Sequence, residues 1–247
     1  MAADFDLVIR NGTLADGTGG PLREADIAVK DGRVAAVGAV SGTGAEEIDA
    51  RHRLVTPGFV DVHTHYDGQA IWSEELAPSS AHGVTTAVMG NCGVGFAPCR
   101  KQDHDMLINV MEGVEDIPGV VMAEGLPWDW ETFPQYLDRV EQGRRDIDVA
   151  AYLPHSPLRV YVMGERGARQ EPATEADLAQ MRALTREAMQ AGALGFATSR
   201  LSIHKTADGG SIPTFDADVR ELQEICLGMR DVGRGTLQIV LDAFRGW

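Results

Sequence analysis

Residues Thr56–Asp67 read TPGFVDVHTHYD, and this stretch decides the fold. The apolar run GFVDV reads as a buried strand. A strand alternates its side chains, so His63 and His65 project to one side of its end while Thr64 projects to the other. Two imidazoles there, with Asp61 and Asp67 close by, look like half of a metal site. They are costly to bury without partners, and imidazole nitrogen is a preferred zinc ligand.

Downstream, strands alternate with helices. GVTTAVMGNCG (83–93) is a Thr- and Val-rich strand that ends in glycines, and DIDVAAYLPH (146–155) is the next strand. ALGFATSR (193–200) and GTLQIVLD (235–242) complete a set of five. Between them, 103–114, 133–143 and 215–233 have helical spacing. The segment 171–192 is the clearest helix: Thr174 is its N-cap, Asp177 completes a capping-box-like pair, and Gly192 ends it.

Repeated β-α-β units imply parallel strands with right-handed crossovers. No G-x-G-x-x-G motif follows a first strand, which weakens a dinucleotide-binding reading. Polar residues instead recur at successive strand ends: His63 and His65, Cys92, His155, Arg200 and Asp242. Active sites of (β/α)8 barrels are assembled at that face. The fold class is therefore α/β, a partial (β/α)8 TIM-like barrel over residues 56–247 with about five of the eight strands of such a barrel. Residues 1–55 precede it as a small β-sheet module. Its alternating runs FDLVIRNG, EADIAVKDG and GRVAAVG are punctuated by the hairpin signals NG and DG, with positive φ expected at Gly12, Gly32 and Gly38.

Composition narrows the function. The chain has 247 residues, 44% hydrophobic and 24% charged, as expected for a soluble globular protein. A net charge of −15, from 37 acidic and 22 basic residues, disfavours nucleic acid and anionic membrane surfaces. The sequence has no apolar run of spanning length and no signal-peptide pattern at its start. With three cysteines, these features point to reduced thiols and a cytoplasmic location.

Each polar strand end has a chemical and a plain reading. A thiolate at Cys92 can bind or bridge a metal; an inert buried cysteine is the alternative. His155 suits either substrate binding or internal hydrogen bonding. Arg200 can hold a substrate carboxylate in a bidentate grip or pair with a neighbouring strand end. His204 and Lys205 lie in a loop overhanging the same face. Cys99, Cys226, His52, His82 and His104 read as structural, and the aromatic segment WDWETF (128–133) reads as packing.

The motifs DLVIRNGTLADGTG, VTPGFVDVHTHYD and GVTTAVMGNCGVGFAP resemble the amidohydrolase superfamily, and more narrowly its N-acyl-D-amino-acid deacylase (D-aminoacylase) branch. The likeness continues through MEGVEDIPG, EGLPWDWETFPQYLD, LRVYVMGERGA and AGALGFATSR, across nearly the whole chain. Related hydantoinase-like enzymes bridge two metals with a carboxylated lysine. No lysine here sits at a predicted strand end, and the resemblance puts Cys92 in that role.

The resemblance implies a zinc-dependent hydrolase of non-peptide carbon–nitrogen bonds, acting on a small N-acyl amino acid to release a D-amino acid. His63 and His65 would ligate the more buried metal and Cys92 the second zinc. It implies further histidines at the fifth and sixth strands and a catalytic aspartate at the eighth. In this sequence Asp242 stands at the end of the fifth strand, and the catalytic aspartate is expected beyond the chain end. The chain is then expected to be an N-terminal part, inactive alone, whose small sheet belongs to a composite β-sandwich. An open barrel edge would favour self-association. A metal-binding protein of this fold without turnover, or another amidohydrolase activity such as cyclic-amide hydrolysis or deamination, are the alternatives.

Overall fold

The computed structural model describes residues 2–242, and the chain divides into two compact units, Met1–Gly58 and Phe59–Trp247. The first holds β1 (Phe5–Leu14), β2 (Arg23–Lys30), β3 (Arg33–Gly38), β4 (Gly44–Asp49) and β5 (Leu54–Val55). Their order is β3-β2-β1-β4, with β5 also beside β1. The β1–β2 and β2–β3 pairings are antiparallel, and β4 and β5 run parallel to β1.

The two hairpin signals turn out differently. Asp31 and Gly32, at φ 53° and 69°, form the two-residue turn between Lys30 and Arg33, the doubly left-handed conformation that type I′ requires. Asn11 and Gly12 lie inside β1, where the register with β2 shifts between Ile9 and Gly12. This is a bulge, with Asn11 at φ 61°. Gly12 does not carry the expected positive φ. It is needed for close approach, because a Cβ there would stand 2.5 Å from Val55 Cγ2. β4 has no expected counterpart, since its sequence GAEEID lies largely exposed and lacks apolar alternation.

The second unit contains β6 (Phe59–Asp61), β7 (Val84–Met89), β8 (Asp148–Pro154), β9 (Gly195–Arg200) and β10 (Thr236–Leu241). They form a curled, half-barrel sheet in the order β10-β9-β8-β7-β6, and every pairing is parallel. Its helices are α1 (Gln69–Trp72), α2 (His104–Glu115), α3 (Gly119–Gly125), α4 (Phe133–Gln142), α5 (His155–Met163), α6 (Glu165–Ala168), α7 (Glu175–Ala191) and α8 (Val219–Val232). The single strand expected over 54–65 is split at Thr56–Gly58. Leu54–Val55 pairs in the first sheet and Phe59–Asp61 opens the second, because Pro57 has no N–H to continue a ladder.

Capping chemistry starts α7 where the sequence predicts, whereas α8 begins at Val219, capped by Asp218, four residues after the expected start. Thr174 and Asp177 form a reciprocal capping box on α7, as Thr132 and Gln135 do on α4. Strand alternation divides the core. Met89, Leu153 and Phe196 join the main cluster with Tyr136 and Val140 of α4, Met181 and Met189 of α7, and Leu222 and Ile225 of α8. Val88, Tyr152 and Ala197 form a smaller cluster of their own, as residues of opposite parity on a pleated strand must. Fully burying each large apolar side chain contributes about 1.5–3 kcal/mol. No helix among the described residues is long and apolar enough to cross a membrane.

Candidate metal centre

His63 and His65 lie just past β6, in a bend rather than on the strand itself. Asp61 Oδ1 accepts a hydrogen bond from the His63 backbone N–H at 3.2 Å. Thr64 donates to Val88 O through both its N–H and its hydroxyl, at 2.9 and 2.8 Å. That pins Thr64 inward, so the alternation continues for one more residue beyond the ladder.

The GNCG loop then brings the thiol across. Gly90, Cys92 and Gly93 have φ of 78°, 53° and 68°, a sharp turn at the end of β7. Gly90 and Gly93 are required there: a Cβ would stand 2.3 Å from Tyr152 O at Gly90 and 2.9 Å from Thr198 Cα at Gly93. Asn91 Nδ2 donates to Thr64 O and Val88 O at 3.2 and 2.8 Å, tying the two segments together.

His63 Nε2 stands 3.3 Å from Cys92 Sγ, and one donor atom from each of His63, His65 and Cys92 lies within 4.8 Å of the others. Burial, helped by His63 and His204, pushes His65 down to about 4, so its ring is neutral at pH 7. Burial also raises Cys92 to about 12, Asp67 to about 8 and Glu115 to about 7. The 3.2 Å approach of His65 Nε2 to Glu115 Oε1 is therefore not a fixed salt bridge at neutral pH. Two imidazoles and a thiol suit zinc. The fit is supported by His65 Nδ1, which is buried without a hydrogen-bond partner. A bound cation would reverse the trend that keeps the thiol protonated.

The other candidates lie elsewhere. His155 is the first residue of α5 and is fully buried. Its Nδ1 meets Thr198 Oγ1 at 2.8 Å and its Nε2 meets Glu221 Oε1 at 2.8 Å. Arg159 pairs with the other Glu221 oxygen. In this structure His155 offers no free nitrogen to a substrate; it belongs to a core network. Arg200 ends β9 half-buried, and its guanidinium has no hydrogen-bond or ion-pair partner among the described residues. Asp242 accepts from Ser202 N and Oγ at 3.1 and 3.2 Å, anchoring the turn that leads to His204. His204 Nδ1 meets Ser199 Oγ at 2.8 Å.

Glu115 was not expected at the site. Its signal was present in the sequence: Ile108 and Met111 are buried on α2, and Glu115 continues their spacing as a lone acid on that apolar stripe.

The model of the Amidohydrolase family matches residues 46–246. A D-aminoacylase from Alcaligenes xylosoxydans xylosoxydans is 32% identical over 253 residues, covering 98% of this chain and 48% of that protein. A solved D-aminoacylase with a binuclear metal centre shares 31% identity at a TM-score of 0.75, over 94% of this chain and 44% of its own. A solved N-acyl-D-glutamate deacylase from Bordetella bronchiseptica, complexed with zinc and a phosphonate inhibitor, shares 29% identity at a TM-score of 0.76, over 95% of this chain and 44% of its own. The chain thus spans about half the length of these relatives or less. With the match running through the H-x-H segment, the GNCG loop and all five strands of the parallel sheet, the chain belongs to the amidohydrolase family.

Proposed function

We propose that this chain carries the metal-binding part of a zinc-dependent N-acyl-D-amino-acid deacylase, built on a partial (β/α)8 barrel. The observation that carries the reading is the convergence of His63, His65 and Cys92. A thiol beside two imidazoles selects zinc over harder cations.

His63, His65 and Cys92 would hold the ion. Bound there, zinc supplies Lewis-acid polarisation of the scissile carbonyl and activates water. The half-buried, unpaired guanidinium of Arg200 suits the α-carboxylate of the substrate, because its planar fork matches two carboxylate oxygens. In the reaction the amide C–N bond breaks and a C–O bond forms to the water oxygen. Both water protons end on the leaving nitrogen, giving a carboxylate and a D-amino acid with its ammonium group. His155, with both nitrogens engaged, supports the strand ends from within the core. The β6 edge, where Phe59 and Val60 are exposed, suits association with another polypeptide.

The test is elemental analysis of the purified protein for zinc, alongside release of free amino acid from N-acetyl-D- and N-acetyl-L-amino acids. Zinc near one equivalent or more is the expected result, and any amino-acid release is expected to be D-selective. Absence of bound zinc would overturn the whole reading, and preference for L substrates would overturn its stereochemical part.

A further inference from the structure

Glu115 is a carboxylate in an unfavourable place. It is the last residue of α2, where the helix dipole disfavours negative charge, and its side chain is only 18% exposed. Asp116 follows directly at φ 56° and adds a second acid. No lysine or arginine pairs with Glu115 among the described residues; its recorded contact is His65 Nε2 at 3.2 Å.

His65 Nδ1, on the other side of the ring, is buried with no hydrogen-bond partner. A buried ring nitrogen that makes no hydrogen bond carries an uncompensated desolvation cost. Asp67, two residues further along the chain, is 2% exposed, and its Oδ2 is also unpartnered.

We propose that Glu115 is itself a metal ligand of this centre and shares a divalent cation with His65. Two ligands of one zinc, each at about 2.0–2.2 Å with a tetrahedral angle between them, stand about 3.4 Å apart. The 3.2 Å from Nε2 to Oε1 is close to that separation, as is the 3.3 Å from His63 Nε2 to Cys92 Sγ. A cation between His65 Nε2 and Glu115 Oε1 engages both side chains and offsets the charge at the helix end. The inference rests on the metal reading above and extends its donor set to a residue from a helix.

The experiment measures zinc affinity by competition with a chromophoric chelator for wild type, Glu115→Gln and Glu115→His, on the whole chain. Cobalt(II) spectra are recorded in parallel. Glu115→Gln keeps size and removes charge, and circular dichroism of the metal-free forms checks its folding. The expected result is zinc binding at least tenfold weaker in Glu115→Gln, with the thiolate-to-cobalt charge-transfer band retained and the ligand-field bands altered. Affinity should recover in Glu115→His, which restores a donor atom; a purely structural role would not be rescued this way. Wild-type affinity and unchanged ligand-field bands in Glu115→Gln would overturn the proposal while leaving His63, His65 and Cys92 as ligands. No zinc and no charge-transfer band in the wild type would overturn the metal reading and Glu115 with it.

Discussion

His63 Nε2 and Cys92 Sγ stand 3.3 Å apart although 29 positions separate them in the chain. Neither residue reaches the other by its own strand. The bend after β6 and the left-handed turn after β7 deliver them, and Asn91 clips the two segments together.

Replacing Cys92 by alanine is expected to weaken zinc binding by more than the roughly 10–100-fold typical of losing an outer-shell partner. The cobalt(II)-loaded variant should lack the thiolate charge-transfer band. Chelator competition and absorption spectra check this, and unchanged zinc affinity would remove Cys92 from the donor set.

Gly90→Ala should damage the same centre without touching a ligand. The added Cβ would meet Tyr152 O at 2.3 Å, on a backbone at φ 78°. The left-handed strain alone costs on the order of 1–3 kcal/mol, so both the thermal midpoint and zinc affinity are expected to fall. A variant with normal stability and normal zinc binding would show that the loop tolerates the clash by moving.

Glu221 sits 1% exposed between His155 and Arg159. Truncation to alanine leaves a buried guanidinium unpaired, and the expected loss is about 3–5 kcal/mol, the usual cost of breaking a buried pair from one side. Urea denaturation measures it. A loss below 1 kcal/mol would mean that water reaches Arg159.

The same network sets a pH response. Desolvation holds His155 below its ordinary value, and hydrogen bonds from His155 and Arg159 outweigh burial to hold Glu221 below its own. Both folded-state values are depressed. Their stabilisation is present above the unfolded values, near 6.5 and 4.5, and is lost as pH falls through the folded ones. Stability of the metal-free protein should therefore decline below about pH 6.5, and less steeply in His155→Gln over the histidine part of that range. Equal slopes in the two proteins would place the acid sensitivity elsewhere.

Thr174→Ala removes the hydroxyl that accepts from the Asp177 backbone N–H at 3.3 Å and the partner that Asp177 engages at 2.8 Å. The expected cost is about 1 kcal/mol, read as a lower thermal midpoint with zinc affinity unchanged.

Much of the fold is legible in local signals. Capping residues place α4 and α7, Asp31–Gly32 makes its hairpin, and β7 to β10 fall where alternating apolar runs predict. Local signals fail where a neighbour overrides them. Asn11–Gly12 reads as a turn but is a bulge, because Val55 packs against Gly12. His155 reads equally as a substrate-binding or an internally bonded residue at a strand end, but it heads a helix, where Thr198 and Glu221 take both nitrogens.

By itself the sequence determined the types of the strongly patterned elements, the parallel alternation and the chemical identity of the donors, because periodicity, caps and side-chain type act over a few residues. Only the tertiary structure decided which donors meet. It brought Cys92 to His63, drew Glu115 in from a helix end, left Arg200 unpaired among the described residues and closed His155 into the core. Those outcomes depend on contacts between segments tens of residues apart, and spacing along the chain carries no information about which of them will pack together.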